Sequence, residues 1–266
     1  MRSAFSRKLV NLGKIDSKVL LITGDHGYSL FDEFRKECPK QFINAGIAEQ
    51  NMIGIAAGLA RQGYKPIVYG LSSFVPIRVL EQIKLDVAHD HLPVIFIGDG
   101  AGFVYSHLGT SHQSTEDIAC SRSIPNLSVY SPADRFELER CLSLAYEEKS
   151  PIYIRMGKAD IGDIHQETLD TKVGELVKVI AGANTNTIKY SFLATGSMVQ
   201  TASNIAKKLN NNIDVWSVPF IKPIDRMTVE EVCRNSTAIV VFEEHSKYGG
   251  LGSLIAEIAS KSYPTK

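Results

Sequence analysis

Strand-like runs alternate with helix-period stretches along the first 160 residues, and this alternation most narrows the folds open to the chain. VLLIT (19–23), QFINAG (41–46), PIVYG (66–70), PVIFIG (93–98), LSVYSP (127–132) and PIYIRMG (151–157) read as strands. VLLIT is a continuous apolar run ending at Gly24-Asp25, the pattern of a parallel strand buried on both faces. Between the strands, residues 3–12 put Phe5, Leu9 and Leu12 on one helical face. GIAAGLARQG (54–63) is helical with Gly63 as its stop, and RVLEQIKLDVAHD (78–90) is a further helix. STEDIACSR (114–122) reads as a helix capped by Ser114 or Thr115, and ADRFELERCLSLAYEE (133–148) as the last of this run. The order predicts an α/β domain whose mostly parallel sheet is flanked by helices.

The pattern changes after PIYIRMG. Residues 161–188 are polar and irregular and read as a linker, with room for a hairpin at GELVKVIAG. A second, smaller α/β unit occupies 189–266. Its strands are YSFLATG (190–196), IDVWSVP (213–219) and AIVVFEE (238–244). Its helices are VQTASNIAKKLN (199–210), TVEEVCRN (228–235) and GLGSLIAEIASK (250–261). The expected division is therefore 1–160, a linker at 161–188, and 189–266.

Charge and cysteine usage exclude several classes. Lys+Arg and Asp+Glu both number 29 in 266 residues, so no excess charge points to nucleic acid or a membrane surface. Cys38, Cys120, Cys141 and Cys233 are widely spaced with no CxxC pair, which favours neither zinc nor disulfides and makes a reducing cytoplasm the expected location. MRSAFSRKLV lacks the apolar core of a signal peptide, and no apolar run is long enough to span a bilayer.

Five places have residues suited to chemistry, each with a plainer reading beside it. In NAGIAEQNMIGIAAGLA (44–60) the helix is apolar or small on nearly every face from Ile47, so it should be buried. Glu49 near its start is costly there unless paired or protonated; it could equally be a helix-start carboxylate favoured by the dipole. His112 in LGTSHQSTEDIA follows a long glycine-rich loop of the kind that carries function, although a loop histidine is usually only solvated. Phe74 and Arg78 in YGLSSFVPIRVLEQI flank a helix start, where an aromatic is most often core. Asp25 and Ser29 follow a buried strand, at the sheet edge where open α/β sheets bind ligands, or simply cap a loop. Arg155 ends an apolar strand and can anchor an anion or form a structural ion pair.

Taken in order, GIAEQNM, YGLSSF…RVLEQI, LPVIFIGDGAGFVYSHLGTSHQSTEDIA, IPNLSVYSPAD and PIYIRMGK resemble the pyrimidine-binding domain of transketolases. They also resemble deoxyxylulose-phosphate synthase and the beta subunits of 2-oxo acid dehydrogenases, the two alternative readings. Residues 190–266, with EEHSKYGGLGS, are similar to the family's C-terminal domain. The nearest likeness is to C-terminal subunits of split transketolases, and the GTSHQSTEDIA string favours that branch. Gly98-Asp99-Gly100 followed by Asn126 looks like the Mg²⁺-diphosphate fingerprint of thiamine-diphosphate enzymes. The resemblance puts this segment in the pyrimidine domain instead, and the loop after GDG is not the helix start that a diphosphate needs. Asp99 and Asn126 are therefore not expected to hold metal, and no metal ligand is expected on this chain.

The resemblance implies roles. Glu49 matches the glutamate that hydrogen-bonds the aminopyrimidine of thiamine diphosphate and activates the thiazolium C2. Phe74 matches the stacking aromatic, Arg78 and Asp25 match cofactor-edge positions, and His112 matches the histidine at the donor hydroxyl and carbonyl. Ser29, Arg155 and Arg2 match positions that hold a sugar phosphate. Two departures put the sugar in question: the family has an Asp where Leu108 stands and a phosphate-binding His where Gly98 stands. A modified sugar is thus as open as a pentose phosphate. The diphosphate-binding domain is absent, so an N-terminal subunit is expected to supply it together with most of the Mg²⁺ site. The expected assembly is an α2β2 heterotetramer around a homodimer, with the 46–60 helix at an interface.

Overall fold

The computed structural model describes residues 1–157, 162–183, 189–209 and 212–266. α1 (Arg2–Ile15) turns Phe5, Leu9 and Leu12 inward and leads into β1 (Val19–Thr23), buried along its length. α2 (Asp32–Glu37), β2 (Phe42–Asn44), α3 (Glu49–Arg61) and β3 (Lys65–Leu71) follow. The helix expected over 78–90 has three pitches: a 3₁₀ turn (Ile77–Val79), α4 (Leu80–Gln82) and a π-helical segment (Ile83–Ala88). β4 (Ile95–Asp99), α5 (Asp117–Ser123), β5 (Ser128–Tyr130), α6 (Arg135–Glu147) and β6 (Ile152–Met156) complete this run.

After β7 (Val177–Ile180) come β8 (Tyr190–Ala194), α7 (Met198–Leu209) and β9 (Ile213–Ser217). β10 (Phe220–Lys222), α8 (Arg226–Arg234), β11 (Ala238–Phe242) and α9 (Leu251–Ser262) end the chain's ordered elements. They form a seven-stranded sheet, order β10-β5-β6-β4-β3-β1-β2, and a four-stranded sheet, order β11-β8-β9-β7. The first is parallel except for β10 and the second except for β7.

Burial on both sheet faces explains the continuous apolar strands. On one face Phe5, Leu9, Phe34, Tyr69, Leu138 and Leu142 pack α1, α2 and α6 against the sheet. On the other, Met52, Ile53 and Ala56 of α3 share a core with Val232 of α8 and Leu251 and Ile255 of α9, so the C-terminal unit covers that face. At about 25 cal/mol per Å² of buried apolar surface, such side chains contribute roughly 1.5–3 kcal/mol each.

Three expectations are corrected, and one strand is placed that no expectation covered. GELVKVIAG is not a hairpin: Val177–Ile180 is an edge strand antiparallel to β9. Phe220–Lys222 goes back to the first sheet, antiparallel to β5, with Phe220 edge-on to Tyr130 at 4.9 Å. α5 has no side-chain cap from Ser114 or Thr115; it starts at Asp117, Ser114 bridges Gly102, and the Thr115 hydroxyl donates to Glu116. α3 buries only one face, since Gln50, Asn51, Gly54 and Gly58 are exposed. The expected domain boundaries at 160/161 and 188/189, and the last residue of the 199–210 helix, touch residues outside the described set. No helix among the described residues is long and apolar enough to cross a membrane.

Candidate active site

The chain order of the strands makes a crevice. β2 lies on one side of β1 and β3 on the other. Loops leaving β1 and β3 diverge there, the place where open α/β sheets bind ligands. Asp25, His26 and Ser29 follow β1, Glu49 opens α3 after β2, Phe74 and Arg78 follow β3, and His112 lies in the segment after β4.

Local rules place each group. Gly46 turns the chain between β2 and α3 at φ +72°, a left-handed value easy only for glycine. Asn44 Oδ1 accepts from Gly46 N–H and from Asp25 N–H, each at 3.0 Å, and so ties the β1 and β2 loops together. Glu49 is the first residue of α3, where the dipole favours a carboxylate. The 103–113 loop is closed at its base by the Gly102–Ser114 pair, with Gly102 N–H donating at 2.9 Å and Ser114 N–H at 3.0 Å. His112 sits just inside that closure.

The side chains converge on Phe74. The Arg78 guanidinium carbon lies 3.9 Å from the ring centre, His26 5.6 Å from it and His112 5.4 Å. Arg78 Nη1 donates to Glu49 Oε1 at 2.9 Å. Glu49 is only 5% exposed, so the pairing alternative raised for a carboxylate in such a setting is the one found. Ser111 Oγ lies 2.9 Å from His112 Nδ1. Burial, with help from Arg78, holds the His26 imidazole below its ordinary value against the pull of Glu49 and Asp25. His26 and Asn44 are site residues that sequence reasoning missed; the only signal for His26 was an imidazole beside Asp25 at the end of a buried strand.

Ser29 stands apart from this cluster. It lines an open groove of about 530 Å³ between α1 and the β1 loop, with Arg2, Ser6, Arg7 and Glu33. Arg2 Nε lies 3.5 Å from Asp99 Oδ2, and Tyr69 donates to the same oxygen at 2.6 Å.

Arg155 is not an open anion anchor. It is 3% exposed; its Nε donates to Asp117 Oδ2 at 2.8 Å and its Nη2 to the Glu244 carbonyl at 2.7 Å. Tyr153 donates to the same Asp117 oxygen at 2.7 Å. A Cβ at Gly98 would lie 2.5 Å from the Tyr153 oxygen and 2.8 Å from the Val75 carbonyl, so no larger residue fits there. Tyr153 fills the place where the resemblance puts a phosphate-binding histidine.

The GDG motif does not form a metal site with Asn126. Ser128 is level with Ile152, and so is Ile95. Asp99 and Asn126 are therefore at opposite edges of the sheet, roughly 20 Å apart at 3.3 Å per residue. Asn126 instead donates to the Ala88 carbonyl at 3.1 Å.

An aminopyrimidine needs a carboxylate for its ring nitrogen and an aromatic surface. Glu49 fits the first requirement: one oxygen is held by Arg78, and among the described residues the other takes no hydrogen bond. Phe74 fits the second. The arrangement can hold a flat, hydrogen-bonding heterocycle and place two imidazoles beside it.

Residues 1–162 match the transketolase pyrimidine-binding domain and 188–265 the transketolase C-terminal domain. The chain is 31% identical over 266 residues to one of the subunits of the apulose-4-phosphate transketolase of Phocaeicola vulgatus, covering 98% of this chain and 84% of that protein. It is 36% identical over 258 residues to 1-deoxy-D-xylulose-5-phosphate synthase of Leptothrix cholodnii, covering 95% of this chain but 40% of that protein. A solved structure described as a split gene transketolase, inactive beta4 tetramer, superposes with a TM-score of 0.90 at 33% identity, covering 99% of this chain and 86% of the other.

Proposed function

This chain belongs to the transketolase family as a subunit of the split type, and on that premise we propose that it forms half of an active site completed by a second polypeptide. The complete enzyme is a transferase that moves a two-carbon ketol unit between sugars. The family implies thiamine diphosphate and a divalent metal. In our reading the diphosphate and Mg²⁺ are held by the N-terminal subunit, this chain holds the aminopyrimidine, and two of each form an α2β2 heterotetramer.

The observation that carries the reading is the Glu49–Arg78–Phe74–His112 cluster at the carboxyl edge of the sheet. Glu49 offers its free oxygen to the pyrimidine ring nitrogen and holds a proton there, while Arg78 keeps the carboxylate oriented. Phe74 supports the ring face, and Asp25, fixed by Asn44, borders it. His112 hydrogen-bonds the hydroxyl and carbonyl oxygens of the donor sugar. When bound, thiamine diphosphate supplies the nucleophilic carbon that carries the two-carbon unit.

Partner coverage is supported by the exposed apolar groups on these loops: Tyr28, Ile47, Phe103 and Leu108, with Ile47 80% exposed. Apolar surface left open around a site marks an interface. The exposed small-residue face of α3 suits a closely approaching backbone in the same assembly.

Substrate recognition departs from the residue set that the family resemblance implies. Tyr153 fills the space at Gly98, Arg155 is locked to Asp117, and Leu108 offers no carboxylate. Ser29 and Arg2 remain as this chain's polar contribution. A modified sugar fits this set, and the relative from Phocaeicola vulgatus is part of a transketolase for apulose 4-phosphate. The reading places the protein in the cytoplasm.

The test is reconstitution. The chain alone should neither transfer ketol units nor bind thiamine diphosphate tightly with Mg²⁺, and addition of the N-terminal subunit should restore both. Tight binding by the chain alone would contradict the split site.

A further inference from the structure

His26 is unused by the roles above, yet it lies against the same aromatic ring as His112. Its backbone is fixed at the end of β1, where Thr23 Oγ1 donates to the His26 carbonyl at 3.0 Å. One imidazole edge packs onto the backbone: a Cβ built on Gly24 would lie 3.5 Å from both Nδ1 and Cε1. Nδ1 is buried and has no hydrogen-bond partner among the described residues. Turning the ring over would bring Nε2 to the Cε1 position beside Gly24, so either orientation leaves one nitrogen enclosed and one open.

An enclosed nitrogen that meets no partner among the described residues favours the tautomer with the proton on the other nitrogen, because orphaned buried N–H groups are rarer than under-satisfied acceptors. A neutral imidazole carries one N–H. Stranding that donor costs about 1–3 kcal/mol, and enclosing the cation costs more. With the proton on the open nitrogen, the imidazole keeps an N–H free to donate, its ring centre 5.6 Å from that of Phe74. His112 Nδ1 is likewise engaged, 2.9 Å from Ser111 Oγ, which leaves Nε2 as the nitrogen available to a ligand.

We propose that His26 is a second substrate-contacting imidazole, whose open N–H donates to an oxygen of the hydroxymethyl-ketone end of the sugar beside His112. Two imidazoles beside one aromatic ring, their centres 5.6 Å and 5.4 Å from its centre, suit the adjacent hydroxyl and carbonyl oxygens of a ketose. A neutral donor polarises a carbonyl without holding the product as a fixed cation would.

The inference rests on the ketol-transfer reading, and the experiment separates the two. The complex with the N-terminal subunit, thiamine diphosphate and Mg²⁺ is assayed with β-hydroxypyruvate, a probe with a hydroxymethyl ketone and no sugar tail. Wild type, Glu49→Gln, His26→Leu and His26→Gln are compared. Hydroxypyruvate affinity is also measured by calorimetry in the Glu49→Gln background with and without His26→Leu. His26→Leu should lower kcat/KM at least about tenfold, the loss of one hydrogen bond to an uncharged oxygen. Thiamine-diphosphate affinity should stay within about twofold and hydroxypyruvate binding should weaken. His26→Gln, whose amide reaches where the outer N–H was, should recover part of the loss. Leu at wild-type kcat/KM, or Gln as impaired as Leu, overturns the role of His26 even where Glu49→Gln is inactive. An inactive wild-type complex overturns the ketol-transfer reading instead, and a Glu49→Gln complex as active as wild type overturns the role of Glu49.

Discussion

Arg78 Nη1 donates to Glu49 Oε1 at 2.9 Å while its guanidinium stacks 3.9 Å over Phe74, so one side chain fixes both the carboxylate and the aromatic of the site. Replacing Arg78 with Met removes both contacts and leaves Glu49 enclosed without its cation. Ketol transfer should fall by about tenfold to a hundredfold, with a weaker thiamine-diphosphate affinity in the reconstituted complex. Arg78→Lys should recover little, because an ammonium cannot stack and fork at once. Unchanged cofactor binding in Arg78→Met would show that the pair does not organise the site.

Arg155, Asp117 and Tyr153 form a buried strut between β6, α5 and the Glu244 carbonyl. Arg155→Met strands Asp117, a change that costs about 3–5 kcal/mol. The melting temperature should fall by roughly 6–20 °C at about 2–4 °C per kcal/mol. KM for a phosphorylated sugar in the surviving folded enzyme should not move. A large KM increase at normal stability would return Arg155 to the phosphate site.

His165 ties the segment after β6 to α6 through Nε2, 2.9 Å from Glu137 Oε1. Burial opposes its charge, but the Glu137 hydrogen bond and charge outweigh burial and raise the imidazole above its usual value. A raised folded-state value stabilises the protein fully below the unfolded value of about 6.5 and is lost as pH climbs through the folded value. His165→Gln should therefore cost most at acid pH, about 1.5–3 kcal/mol for a hydrogen bond between charged groups, and little in alkali. Denaturant unfolding of both proteins from acid to alkaline pH checks it; a constant difference would contradict the pairing.

Leu108 is an exposed loop residue where the family resemblance puts a carboxylate. Leu108→Asp should leave stability within about 0.5 kcal/mol. It should raise the kcat/KM ratio of a hydroxylated acceptor sugar over its deoxy analogue by about tenfold, measured in the complex. No change in that ratio would mean that position 108 does not face the sugar.

The parallel sheet was legible because VLLIT, PIVYG and PVIFIG lie between two helix layers and carry continuous apolar runs. Glu49 and His112 were singled out by the family resemblance, because their settings alone fitted a helix-start carboxylate and a solvated loop histidine as well as a site. What escaped depended on partners distant in sequence. Nothing in Phe220–Lys222, three residues before a proline, says that it pairs with β5 rather than with its own unit. Arg155 ends a strand whether it meets a phosphate or Asp117, and only the fold brings Asp117 across. The exposed face of α3 could not be told from a buried one, because Gly54 and Gly58 are as compatible with a missing partner as with a core. His26 drew no notice because its meaning comes from Phe74, 48 residues later in the chain.

The central claim is that Glu49 serves chemistry in a site shared by two chains. The direct measurement is ketol transfer by the reconstituted complex with wild-type chain or Glu49→Gln, with thermal unfolding and association of the two polypeptides followed in parallel. The account predicts a loss of about 10²–10⁴-fold in kcat for Glu49→Gln with folding and association intact. Equal activity of the two complexes would contradict it.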